Sequence, residues 1–156
     1  MKNGDQELRV KKIENGTVID HIAAGQALNV LKILGITGST DAVVSLVMNV
    51  SSRKMGSKDI LKIEDRELAP EEVDRIALIA PGAKINIIRN YRVVEKHSVD
   101  LPHVIQGILR CANPNCISNT NEPVKSKFVV TKSHERPVFR CFYCEERLDD
   151  AMEHLI

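Results

Sequence analysis

The stretch CANPNCISNTNEPVKSKFVVTKSHERPVFRCFYC, residues 111–144, holds every cysteine of a 156-residue chain. The thiols form two tight pairs, Cys111 with Cys116 and Cys141 with Cys144, with 24 residues between them. One turn per pair can present two sulfurs on one side, and two such turns brought together complete a tetrahedron. In a reducing compartment, thiolates on a metal are a stronger reading of this spacing than two disulfides. Four thiolates fill the shell of a structural zinc and leave no position open for a catalytic water. Iron accepts the same ligands, but the first pair has four intervening residues and no other redox motif accompanies it. None of the five histidines, at 21, 97, 103, 134 and 154, lies inside either pair.

Between the pairs, VKSKFVVTKSHERPVFRC alternates polar and apolar residues around a turn at SHERP, which predicts two short antiparallel strands. After Cys144, EERLDDAMEHLI sets Leu148, Met152 and Leu155 at the spacing of a short terminal helix. A segment of about 55 residues is near the size at which a domain needs a metal or partner to stay folded. Upstream, HSVDLP reads as a linker, with Pro102 ending the preceding pattern. Two domains are therefore expected, residues 1–101 and 102–156.

The first hundred residues have a different rhythm. ELRVKKI reads as a strand, followed by a turn at Asn15-Gly16. AAGQALNVLKILG carries Ala24, Ala27, Leu28, Leu31 and Leu34 on one helical face and stops at Gly35. AVVSLVMNV is an apolar strand, and KDILKIED is another, with Leu61 and Ile63 on one face and Lys58, Ile60 and Lys62 on the other. PEEVDRIALIA starts a helix at Pro70 and ends before Pro81-Gly82. KINIIR and RVVEK follow as strands around a turn at Asn90-Tyr91. Strand, helix, strand, strand, helix, strand, plus one extra strand, predicts an α+β fold: a ferredoxin-like split βαβ sandwich with a small, mainly-β zinc-binding domain behind it.

Composition narrows the function. Hydrophobic residues make up 43% and aromatics only 3%, with no Trp, so the cores must be built from Ile, Val, Leu and Ala. A net charge of +1 argues against a dedicated nucleic-acid binder, which needs a basic face to neutralise phosphates. No run of about 18 apolar residues exists to span a membrane. The opening MKNGDQELRVKK lacks the apolar stretch of a secretion signal, so a cytoplasmic location is expected. The chain has no phosphate-binding GxxxxGK[ST] loop, GxGxxG turn, GxSxG elbow or HExxH helix. Instead, Ile60 and Lys62 make a shallow bed on one strand face, aliphatic beneath and cationic at the edge. Asn86 and Ile88 share a face on KINIIR, and His21 and Lys96 are available for phosphates at the rim. Asp20-His21 interrupts an apolar run, a position typical of a turn or cap as well as a site.

The motifs GTVIDHI, MGSKDILKIED, INIIRNYRVVEK, CANPNCISN and CFYCE occur in the order found in the regulatory chain of aspartate carbamoyltransferase. The resemblance runs from about residue 8 to 148. It implies a non-catalytic chain with one structural zinc, whose first domain binds CTP, ATP and UTP as effectors. The second domain is implied to dock on the catalytic chain, with regulatory chains paired as homodimers in an assembly serving pyrimidine biosynthesis. Carried over by motif, the nucleotide residues are Val10, Lys11 and Ile13, then Val18, Asp20 and His21. Ile60 and Lys62 follow on the middle strand, and Asn86, Ile88, Tyr91, Val93 and Lys96 on the last two. The lysines and His21 suit triphosphate and sugar, Asp20 a ribose hydroxyl, and the backbone near Lys11 to Ile13 the base edge. The implied zinc ligands are Cys111, Cys116, Cys141 and Cys144, and Asn113, Asn115 and Glu145 match positions facing the catalytic chain. Phe142 departs from the family, some members of which carry a basic residue there.

Overall fold

The computed structural model describes residues 12–36, 38, 40–133 and 136–156. Val10, Lys11 and most of the ELRVKKI strand lie outside the described residues, as do His134 and Glu135 of the SHERP turn. The chain divides into two compact units, one up to Asp100 and one from Leu101.

The first unit contains strands β1 (Gly16–Ala23), β2 (Val44–Ser52), β3 (Gly56–Glu64), β4 (Lys84–Arg89) and β5 (Arg92–Ser98). Its helices are α1 (Ala27–Ile33) and α2 (Pro70–Ala77). The sheet order is β2-β3-β1-β4-β5 and every neighbouring pair is antiparallel. β3 lies between β1 and β2, and β1 between β3 and β4, so each helix connects strands split by a third. This is the ferredoxin-like arrangement with an added edge strand.

Period-two alternation places Ile19, Leu61, Ile63, Ile85 and Ile87 on one face, buried with Val30, Leu34 and Ile76 of the helical layer. Burial on α1 falls on Ala27 and Val30, while Leu28 is 51% exposed and Ala24 precedes the helix on the surface. The expected stripe is thus rotated by part of a turn. The Glu72 side chain accepts from the Ala69 N–H at 2.9 Å, closing the start of α2 behind Pro70. Arg66 Nη2 donates both to Glu72 and to the Leu34 carbonyl, so it ties the end of α1 to the beginning of α2.

Of the expected ELRVKKI strand only Lys12 and Ile13 are described, and they carry no strand; the first strand among the described residues is Gly16–Ala23. It opens at Gly16, whose φ of +143° and close packing on the Ile63 carbonyl exclude any side chain.

The second unit is a four-stranded sheet of order β6-β7-β8-β9, formed by Val104–Gln106, Lys127–Ser133, Arg136–Cys141 and Arg147–Leu148. Phe128, Val130, Phe139, Ile105, Leu109 and Leu148 form its small core beside Cys111, Cys116 and Cys141. The expected terminal helix is absent among the described residues. Leu148 lies in β9, Ala151–His154 makes a 3-10 turn capped by Asp150, and Leu155 bridges to Leu109. The apolar spacing there serves a sheet edge and a single turn, because too few residues remain for a stable helix.

Candidate functional site

Both neighbours of β3 bulge at the same level. β1 pairs Ile19 with Leu61 and Ile22 with Asp59, so Asp20 and His21 together oppose Ile60. β2 pairs Val47 with Ile60 and Val50 with Lys58, so Met48 and Asn49 together oppose Asp59. His21 and Asn49 both take a left-handed φ of 59°. A regular strand would send Asp20 and His21 to opposite faces, but the bulge brings both to the open side of the sheet. Behind them, the fully buried Asp59 carboxylate accepts from Gly25 N at 2.9 Å, Ala27 N at 3.1 Å and Asn49 N at 2.8 Å. One carboxylate thus fixes the β2 bulge and the entry into α1, at the register level where β1 bulges.

On the open face, register aligns Ser45, Lys62, Val18, Asn86 and Lys96 as one row across all five strands. Directly opposed residues share a face and touch. Asp20, His21, Asn86 and Lys96 line a cleft of about 310 Å³ together with Lys84, His97 and Ser98. Lys84 and Lys96 outnumber its one carboxylate, Asp20, which Lys58 Nζ holds at 2.9 Å. His21 N donates to the same oxygen at 2.6 Å, and His21 Nδ1 is buried with no hydrogen-bond partner. Such a cleft favours an anion. Burial lowers the Lys62 ammonium below the usual lysine range.

Ile60 and Lys62 lie on the same sheet face outside this cleft, Ile60 opposite the Asp20–His21 bulge. Ile88 and Val93 pair two residues farther along, opposite Gly16. Tyr91, 62% exposed, occupies the β4–β5 turn with φ 64°, and its N–H donates to Glu14 O beside the buried Ile13. The described candidates therefore form a strip down the open face, roughly 13 Å from the level of Asp20 to that of Gly16. Lys58, Lys84, His97 and Ser98 were not among the expected residues. Lys84 is opposite Asp20 in register, a pairing that becomes visible only once β1 is placed.

In the second unit, four Sγ atoms lie within 4.8 Å of one another, from Cys111, Cys116, Cys141 and Cys144. Cys111–Cys144 is 3.4 Å and Cys116–Cys141 is 3.6 Å, and all four are free thiols. Four sulfurs at about 2.3 Å from a tetrahedral metal would be about 3.8 Å apart. The two closest approaches, 3.4 and 3.6 Å, come within a few tenths of an ångström of that spacing, so the donor set fits such an ion. Burial pushes the Cys111 and Cys141 thiols up. Burial also acts on Cys116, but hydrogen bonds with Ser118 outweigh it and bring that thiol down to about 7. Asn119 Nδ2 donates to the carbonyls of Cys111 and Asn113 at 2.9 and 2.6 Å, stapling the first knuckle. The second is closed by Cys141 N to Glu146 O and Glu145 N to Cys141 O.

Asn113 is committed within its own knuckle, its side chain accepting from Asn115 N at 3.0 Å. Asn115 and Glu145 are exposed, Glu145 at a left-handed φ of 66°. Phe142 is 52% exposed, lies edge-on to Tyr143, and carries the Lys127 ammonium over its ring at 4.1 Å.

A ferredoxin-like sandwich in the same chain as a four-thiol unit defines the class: a two-unit chain with one open sheet face and a small sheet module whose cysteines could hold a metal. Residues 8–100 match the family model described as aspartate carbamoyltransferase regulatory chain, allosteric domain, and residues 103–152 match its metal binding domain. The chain is 63% identical to the aspartate carbamoyltransferase regulatory chain of Methanothrix thermoacetophila, covering 97% of this chain and 99% of that one. Identity is 60% with the regulatory chain of Methanocella arvoryzae, covering 98% and 99%, and 58% with that of Methanoculleus marisnigri, covering 99% and 98%. The chain belongs to the aspartate carbamoyltransferase regulatory-chain family, and is a regulatory rather than a catalytic subunit. Among the described residues no helix is long and apolar enough to cross a membrane.

Proposed function

We propose that the chain binds nucleoside triphosphates, CTP, ATP and UTP, on the open face of its first unit and transmits their binding to a catalytic chain in pyrimidine biosynthesis. The observation that carries this is the row Lys62–Val18–Asn86–Lys96 running into the cationic cleft beside Asp20 and His21. Lys96, Lys84 and His21 meet the phosphates, Asp20 accepts from a ribose hydroxyl, and Ile60 and Val18 lie under the apolar part of the ligand. Lys62 reaches the sugar and phosphate side. The backbone at Ile13 and the strip through Ile88, Tyr91 and Val93 receive the base, with Val10 and Lys11 continuing it.

Zinc, one ion per chain, is held by Cys111, Cys116, Cys141 and Cys144, and its role is to crosslink the two knuckles. So braced, the second unit docks on the catalytic chain in the cytoplasm, with Asn113, Asn115 and Glu145 facing it. Regulatory chains associate as homodimers. Effectors act because they bind with different affinity in two quaternary states, which shifts the balance between those states.

Calorimetric titration of the full chain with CTP and ATP tests the site. A hydrogen bond to a charged group is worth about 1.5–3 kcal/mol, so Lys96→Ala should weaken CTP roughly tenfold to a hundredfold. Lys54→Ala, on an exposed turn between β2 and β3, should change nothing. Equal affinity in wild type and Lys96→Ala would overturn the assignment.

A further inference from the structure

A cleft of the second unit, about 1020 Å³, lies beside the first cysteine knuckle and has no part in metal binding beyond the Cys111 wall. No acidic side chain lines it, whereas Arg110 and Lys125 both do. Among the described residues neither cation pairs with a carboxylate. Both are exposed, and the Lys125 carbonyl accepts from Tyr143 Oη at 3.3 Å, which fixes the backbone that carries the ammonium. Ser126 follows in the wall. It is 6% exposed, yet its Oγ has no hydrogen-bond partner. A buried hydroxyl left unsatisfied is unfavourable unless something from outside completes it. Gln106 adds an uncommitted amide on the same wall.

From this geometry we infer that the cleft receives an acidic segment of the catalytic chain, its carboxylates meeting Arg110 and Lys125 and a polar group reaching Ser126 Oγ. This deepens the docking part of the proposed function and rests on it. The opening is too large for a single small anion, and its charged side chains are both cationic. Arg110 offers a planar fork to a carboxylate, while Lys125 offers a point charge that tolerates several approach angles.

The test uses the full chain and its cognate catalytic chain. Association is measured by interferometry for wild type, for Arg110→Glu/Lys125→Glu, and for the milder Arg110→Gln/Lys125→Gln, which keeps two exposed positions polar and leaves the fold intact. Charge reversal should weaken association roughly tenfold or more, and neutralisation should weaken it less, with the wild-type interaction falling as salt rises. In parallel, zero-length carbodiimide crosslinking of the wild-type complex should join Lys125 to an Asp or Glu of the catalytic chain. Failure of the wild-type chain to associate overturns the docking reading and the inference together. Normal association of both double variants, with no Lys125 crosslink, overturns the inference alone. So does an unchanged complex accompanied by stabilisation of the wild-type chain, but not the variants, by inorganic phosphate.

Discussion

Asp59→Ala should loosen the whole first unit while sparing the second. The carboxylate is fully buried on β3 and accepts three backbone N–H groups, from Gly25, Ala27 and Asn49. A hydrogen bond to a charged group is worth about 1.5–3 kcal/mol, so three would sum to roughly 4.5–9 kcal/mol. That sum is a ceiling, because water reaches the partly exposed contacts at Gly25 and Asn49, whereas the bond to Ala27 is buried. The expected loss is about 3–5 kcal/mol, a large share of the roughly 5–15 kcal/mol that holds a typical domain together. Asp59→Asn is informative beside it. One amide oxygen can replace Oδ2 and keep Gly25 and Ala27, but the amide nitrogen then faces the Asn49 N–H, so about 1–3 kcal/mol should go. Hydrogen exchange followed by mass spectrometry on the intact chain separates the units. Amides of β1 and β3 should lose roughly a hundredfold or more of their protection in the alanine variant, while those of β7 and β8 keep theirs. Protection within a factor of five of wild type in β1 and β3 would refute the role given to Asp59.

Cys141→Ser removes one of the four converging sulfurs. Structural zinc contributes about 10–16 kcal/mol of apparent binding energy in small domains, so metal analysis should find the variant depleted and β7 and β8 unprotected; full metal content would contradict the site. Gly16→Ala would place a Cβ 2.1 Å from the Ile63 carbonyl at a φ of +143°. Strand pairing must then shift, and a loss of roughly 2–4 kcal/mol is expected in urea titration; a neutral result would mean the β1–β3 register is wrong. Lys62→Met tests the sign of a buried charge. Burial depresses the folded-state pKa, so the unfolded chain holds more protons between the folded and unfolded values and stability rises with pH through that window. At neutral pH burial therefore disfavours the ammonium relative to the neutral amine, and Lys62→Met should bind CTP roughly tenfold more weakly. CTP affinity equal to wild type would refute it.

Most elements could be read from local pattern because their signals are local. Pro70 and Gly35 punctuate helices, Leu61 and Ile63 alternate cleanly with Ile60 and Lys62, and Asn90-Tyr91 takes two left-handed residues in a tight hairpin turn. The strand Gly16–Ala23 was not recognised because Asp20-His21 breaks the alternation that identifies a strand. The bulge lies beside Asp59 in register, 39 positions on from Asp20, which no window of neighbouring residues contains. The same separation hid Lys84, which enters the cleft only through its pairing with β1. The cysteine cluster was legible because ligand chemistry is carried by residue type and spacing alone. The terminal turn was not, since apolar spacing over so short a stretch fits a 3-10 turn and a strand edge as well as a helix.

The central position of β1 has a consequence for how the protein is made. Among the described strands β1 leaves the ribosome first, yet both of its sheet neighbours, β3 and β4, come later in the chain. The link between Asn90 N and Asn15 Oδ1 at its end spans 75 positions. At about 5–20 residues per second, synthesis leaves Ile19 and Ile22 without their full partners for roughly 4–15 s. Pairing over such distances is also slow, because the loop must close before any contact rewards it. The nascent chain therefore carries an apolar strand with both edges free until Glu64 has emerged and one edge free until Arg89 has, and that interval is when it is most exposed to aggregation and to capture by chaperones.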